Sequence, residues 1–305
     1  MVRMRWIEHS SDRYLRAPRL VRAEGGALEV WCIATTPSTE ALVAFGEGDE
    51  PRVVRVSPAI VALTRGDGAP AVTDDVGAWD SDSSWPWTVR VEHEGAWSTV
   101  FANEVMVWRA WGTAAAPTVV AVDGGAWVAF HHNVREDTGE PDLVKWIAVR
   151  FVTDDGHVLE PAWPMRERDR DREGEEQGFE FPTLVAATGG GLTVLGRGSH
   201  AFFRQDLSAQ GWSERRALGS TEWGCRGRWV DACLDGDGIL TARREKKGIA
   251  VERFEPPPTS APSLVEAQIE LEQHPHRDVP PRPRGADPAV RDGRRTLFGD
   301  IHQHS

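Results

Sequence analysis

The chain has 305 residues and a formal net charge of -12, with 40% hydrophobic and 27% charged residues. This is the composition of an ordinary globular protein, long enough to bury a sizeable core. The acidic balance argues against nucleic-acid binding by the surface as a whole. The absence of any run of about 18 apolar residues argues against a transmembrane helix, so no membrane partner is expected.

The N-terminal stretch MVRMRWIEHSSDRYLR has basic residues with no apolar segment behind them, so it does not read as a secretory signal. Three cysteines, Cys32, Cys225 and Cys233, are unevenly spaced, and two of them lie in or beside apolar strands. A cytoplasmic location is the resulting expectation. Arg3–His9 is a short strand candidate. It precedes the first copy of a repeated pattern: an apolar strand led by proline, a glycine turn, and a second apolar strand.

The clearest copies are Pro117-Thr-Val-Val-Ala-Val-Asp-Gly-Gly-Ala-Trp-Val-Ala-Phe130 and Pro182-Thr-Leu-Val-Ala-Ala-Thr-Gly-Gly-Gly-Leu-Thr-Val-Leu195, with a third at Pro18–Trp31. Weaker copies begin at Pro58 and near Arg228, so the starts fall at 18, 58, 117, 182 and about 228. Hairpin repeats of this length predict an all-β fold, a five-bladed β-propeller over residues 1–255. An open ring would leave strand edges unpaired. Arg3–His9 pairing with Ile249–Phe254 is the expected closure.

In chain order, blade one takes the Pro18 hairpin with strands at 41–45 and 52–57. Blade two opens at Pro58, turns at Gly66–Pro70, and passes through a loop at 74–86 before strands at 87–92 and 97–102. Blade three, from Pro117, is the most complete. Met165–Gly178 is almost wholly charged and reads as a solvated excursion. Blade four starts at Pro182 and blade five spans about 228–254. Asp235-Gly-Asp-Gly238 reads as a turn, because the acidic series of a calcium loop is missing. Residues 256–293 read as a proline-rich linker holding a short strand or helix at Ser263–Gln273.

Two sets of residues carry chemistry. Within the repeats, His131, His132 and Asn133 follow the second strand of blade three. Arg197 and His200 follow the equivalent strand of blade four. Glu222, Trp223, Arg226 and Arg228 precede the fifth repeat. Arginine and histidine beside an aromatic suit a small acidic or sugar-like ligand. Cleavage of a glycosidic bond would further require two carboxylates across the scissile bond. Asp74, Asp75, Asp123, Asp137, Glu222 and Asp231 are the available acids.

The second set is terminal. In an extended chain His302 and His304 project to one face and can reach one metal ion. Phe298-Gly-Asp-Ile-His-Gln-His-Ser305 resembles the opening motif of the polymerase-and-histidinol-phosphatase (PHP) superfamily of metal-dependent hydrolases, matching at Phe298, Gly299, Asp300, His302, His304 and Ser305. The resemblance implies that 294–305 is the first strand of a hydrolase domain continuing beyond Ser305, with His302 and His304 as an incomplete ligand set. It implies a divalent metal (Zn, Mn or Fe) in the full-length parent and none in the present chain.

The propeller is then expected to be an accessory module for substrate binding, access or oligomerisation, partnered by the missing domain and acting on phosphoesters. The alternative is a propeller enzyme that hydrolyses glycosidic bonds with carboxylates in its funnel. The blades loosely resemble those of sialidase-like and other sugar-cleaving propellers, although the Ser-x-Asp-x-Gly-x-x-Trp box of sialidases is not present. No serine-nucleophile elbow, Walker loop, His-Glu-x-x-His or Cys-x-x-Cys motif occurs.

Overall fold

The computed structural model describes residues 5–8, 14–23, 26–46, 50–57, 62–63, 72–73, 81–95, 97–135, 143–162, 180–198, 201–220, 230–271, 290–291 and 294–295. Residues 1–272 form one compact unit and 273–305 a second. Among the described residues every regular element is a strand.

In chain order, β1 (Arg5–Glu8) is followed by β2 (Tyr14–Arg22), β3 (Leu28–Thr35), β4 (Glu40–Phe45) and β5 (Arg52–Ser57). The strands β2 to β5 form one antiparallel sheet in sequence order. Next, β6 (Ala62–Leu63) and β7 (Val72–Thr73) pair only with each other. A sheet then follows from β8 (Ser81–Ser84), β9 (Trp87–Glu94), β10 (Trp97–Ala102) and β11 (Val105–Trp111). Its successor holds β12 (Thr113–Val122), β13 (Gly125–Arg135), β14 (Leu143–Thr153) and β15 (Val158–Pro161).

The next sheet contains β16 (Glu180–Ala186), β17 (Leu192–Arg197), β18 (Ala201–Ser208) and β19 (Gly211–Trp212), with β20 (Arg216–Ser220) also on β18. The last has β21 (Val230–Asp235), β22 (Gly238–Glu245) and β23 (Gly248–Phe254), and β1 joins it on β23. Two short strands, β24 (Leu264–Glu266) and β25 (Glu270–Leu271), add to earlier sheets. In the second unit β26 (Val290–Arg291) pairs with β27 (Arg294–Arg295). The result is an all-β fold of four- and five-stranded sheets in a propeller- or solenoid-like arrangement.

Sheets packed on both faces should be apolar on both, rather than alternating with polar residues. The third-repeat strand β13 shows this plainly. Ala126, Val128 and Phe130 pack toward Trp108 and Val107 of β11 in one core cluster. Trp127 and Ala129 face the other way, toward Leu184, Leu192 and Val194 of β16 and β17. Burying a side chain such as Phe130, which is fully enclosed, is worth about 1.5–3 kcal/mol. The β12–β13 turn uses Gly124 at φ +83, and a Cβ on Gly125 would lie 2.1 Å from the carbonyl oxygen of Val152.

The strand expected at 3–9 is seen over its described part as β1, Arg5–Glu8, and its register on β23 sets Trp6 opposite Ala250 and Glu8 opposite Gly248. Two expectations are corrected. The sheet holding β9 and β10 begins at β8, inside the segment read as a loop, and not at Pro58. The pattern from Pro58 yields only the isolated β6–β7 pair among the described residues. Ser263–Gln273 contains strands and no helix within its described part.

Candidate functional site

Three strands that open a repeat, β2, β12 and β16, are interrupted in the same way. Their pairing slips between Arg16 and Arg19, between Ala115 and Thr118, and between Glu180 and Thr183. The proline in each slip cannot donate to the ladder. The residue ahead of it takes a left-handed conformation: Ala17 at φ 50, Ala116 at φ 50 and Phe181 at φ 55. A residue before proline is ordinarily held extended, so each such bulge costs on the order of 1–3 kcal/mol. The surrounding sheet pairing holds the three in place.

The slips fix an equivalence between sheets. Ala115 lies opposite His131 and Glu180 opposite Arg197. His131 and Arg197 thus occupy the same position on neighbouring sheets, and Phe181 stands between them. The Phe181 N–H donates to His131 Nδ1 at 3.1 Å. The His131 ring meets the Phe181 ring edge-on, with centroids 4.8 Å apart and planes at 69°. The Arg197 guanidinium lies 4.9 Å from the centroid of the same ring. Because Nδ1 accepts a backbone proton, the neutral imidazole carries its own on Nε2. Phe181 and Arg197 are half-buried and His131 is buried.

Strand alternation separates the two histidines. His131 points with Trp127 and Ala129 toward the β16–β19 sheet, and His132 points the other way. His132 is fully buried, 5.5 Å from Trp108 in an edge-on contact. Arg150 covers that tryptophan at 4.8 Å and pairs with Glu160 at 3.0 Å. Burial lowers the Arg150 pKa, and the Glu160 charge partly offsets it. His132 therefore belongs to the seam between sheets and does not share the His131 cluster. Asn133 pairs through its backbone with Thr113 and Lys145. His200, Glu222, Trp223, Arg226 and Arg228, with His302 and His304, lie outside the described residues.

The acids sort by position too. Asp231 Oδ2 accepts the Leu20 N–H at 2.8 Å, and its other oxygen lies 3.6 Å from Arg19 Nη1. Asp82 Oδ2 accepts the Val119 N–H at 3.1 Å. Leu20 and Val119 are each the second residue after a repeat proline, so these carboxylates make the same link in two seams. Asp123 sits in the exposed β12–β13 turn. Asp74, Asp75 and Asp137 lie outside the described residues, as does Glu222.

Sequence reasoning missed Phe181 and Asp82. Phe181 was legible as the residue before a repeat proline. Asp82 was hidden in a polar run that reads as a loop.

No protein-family model and no curated protein matches the chain. Solved structures match distantly. One is a protein of unknown function from Dyadobacter fermentans DSM 18053, at 10% identity over 88% of this chain and 87% of that one, with TM-score 0.41. Another is a GH43_1 enzyme from Xanthomonas citri, at 11% identity over 88% and 93%, with TM-score 0.39. A third is a glycosyl hydrolase from Bacteroides ovatus, at 11% identity over 84% and 88%, with TM-score 0.37.

The expectation of an accessory module for a metal-dependent PHP-like phosphoester hydrolase is corrected. No PHP family model matches. Among the described residues no group of three or more His, Cys, Asp or Glu side chains is placed to hold a metal ion. The motif that carried the resemblance covers only the last few residues, and they lie outside the described ones.

Proposed function

We propose that the sheets beginning at β2, β8, β12, β16 and β21 are the blades of a closed five-bladed propeller joined through β1 on β23. We propose further that the protein acts on carbohydrate at the end where the strands β2, β12 and β16 begin. The observation that carries this reading is the set of His131, Phe181 and Arg197 across the seam between β13 and β16.

Its chemistry suits a sugar. The Arg197 guanidinium is a planar array of N–H donors, half-buried with Phe181 beside the buried His131. Hydroxyl and ring oxygens accept such bonds, while the Phe181 ring gives an apolar surface beside them. Hydrolysis of a glycosidic bond needs two further carboxylates. Asp231 and Asp82 are committed to backbone N–H groups. Asp137 follows β13 beyond His131, and Glu222 precedes β21, so these two are the acids assigned here.

The test uses the full chain, titrated with neutral and acidic oligosaccharides by calorimetry and assayed for release of reducing ends. Arg197→Ala is expected to weaken binding by about tenfold or more, the loss of one charge-assisted contact. Glu222→Gln or Asp137→Asn is expected to lower turnover by about 10²–10⁴ with binding retained. A chain that neither binds nor cleaves any of these sugars at millimolar concentration would sink the reading.

A further inference from the structure

After β23 the chain does not leave the sheets. Glu255 and Pro256 present their carbonyl oxygens to Arg204, which donates from Nη1 at 2.7 Å and from Nη2 at 2.9 Å. Arg204 is itself buried on β18 and held by Asp206 at 2.9 Å. Pro257 is buried. Pro258 and Thr259 then pass so close to the β16–β17 turn that side chains are excluded there. A Cβ on Gly191 would lie 1.8 Å from the Pro258 carbonyl oxygen, and one on Gly189 would lie 2.1 Å from that of Thr259. The three glycines at 189–191 thus admit a second chain segment as well as making a turn.

The segment continues onto the next sheet. The Ala162 N–H donates to the Ser263 carbonyl at 2.9 Å, β24 pairs antiparallel with β15, and the Ala267 N–H donates to Val158 at 3.0 Å. It then reaches a third sheet, where the Arg109 N–H donates to the Ile269 carbonyl at 2.8 Å and β25 pairs in parallel with β11. Leu264 packs on one core cluster, and Ala267 with Ile269 on another. Residues 255–271 therefore pass over Arg204 and the β16–β17 turn of one sheet and then along the edge strands of two others, in the reverse of the sheets' chain order.

We propose that this segment is a reversible strap. Closed, it ties three sheets together and covers the edges of β11 and β15. It opens as a unit, in a step that precedes unfolding of the sheets themselves. The physical basis is the contrast in anchoring: the strap's strands are three and two residues long, while β13 and β14, which pair with each other in the sheet that β24 joins, are eleven each. Segments with few buried apolar contacts and exposed backbone bonds open at lower free energy than core strands.

Hydrogen exchange on the full chain tests this. The amides of Arg109, Ala162 and Ala267 are expected to exchange through one shared opening, at least about tenfold faster than the core amides of β13. Gly191→Ala, which forces Pro258 away, should accelerate all three by a further tenfold or so and leave β13 unchanged. Ile269→Ser, a change on the strap alone, should do the same and guards against a local defect in the β16–β17 turn. The strap is overturned if the three amides exchange at unrelated rates, if they exchange as slowly as β13, or if neither variant moves them.

Discussion

At the scale of single residues, the informative side chains bridge one sheet to the backbone of the next. Asp231 is the clearest, since it binds the Leu20 N–H and faces Arg19 with both side chains largely buried. Removing one member of a buried ion pair costs more than the pair contributes, because the other charge stays out of water. Asp231→Ala is therefore expected to destabilise the protein by about 3–5 kcal/mol. Asp123→Ala, in an exposed turn, should stay within about 0.5 kcal/mol. Urea titrations of the two variants check the contrast.

Glu245 gives a pH signature. Its pKa is raised, first by burial, with the Arg243 charge opposing and the Glu252 charge reinforcing. A carboxyl with a raised folded pKa stabilises the fold below its unfolded pKa, and that contribution is lost as pH rises through the folded value. Stability of the wild type relative to Glu245→Gln should thus be greatest below about pH 4.5 and fall as pH rises above it. Denaturant curves between pH 4 and pH 7 measure that difference.

At the scale of elements, the hairpins from Pro18, Pro117 and Pro182 were legible because their strands are apolar and their turns are glycine. The pairing of β1 with β23 was legible for a different reason, since a lone strand before a repeat array needs a partner. The strand β8 was not. Its sequence, Ser-Asp-Ser-Ser, is that of a loop, yet Asp82 and Ser84 accept N–H bonds from Val119 and Ala121 of β12. A strand that spends its side chains on a neighbour's backbone has no apolar pattern to read. The short β24 and β25 fall inside Ser263–Gln273, which reads as either a strand or a helix because two or three residues carry no period to decide between them.

The joint of β1 on β23 is also testable at this scale. Gly248 has φ +149, and a Cβ there would lie 2.1 Å from the Ile7 carbonyl oxygen. Gly248→Ala should prise β1 from β23 and lower stability by about 2–4 kcal/mol, from lost ladder bonds and exposure of the buried Ile7. Thermal melts, and faster exchange of the Ile7 and Ile249 amides, read it out. Unchanged exchange at those amides would mean that β1 is held by something other than this ladder.

At the scale of the whole molecule, the array reads as repeats, but its chemistry reads only through register. The sequence put His131, His132 and Arg197 into one group. Alternation along β13 divides them, sending His131 to Phe181 and Arg197 and His132 to Trp108. The place of Phe181 before a repeat proline is visible in the residue pattern, but its hydrogen bond to His131 is not, because that contact arises where two sheets meet.

The pairing of β1 with β23 also fixes an order in time. A ribosome makes Arg5–Glu8 early and its partner Gly248–Phe254 roughly 240 residues later. At usual elongation rates that interval is on the order of tens of seconds. Throughout it the newborn strand, carrying Trp6 and Ile7, has no ladder to join and is open to pairing with neighbouring nascent chains. The last sheet thus closes only after the other sheets have been made, and the yield of soluble protein in the cell should depend on how well that early strand is shielded in the meantime.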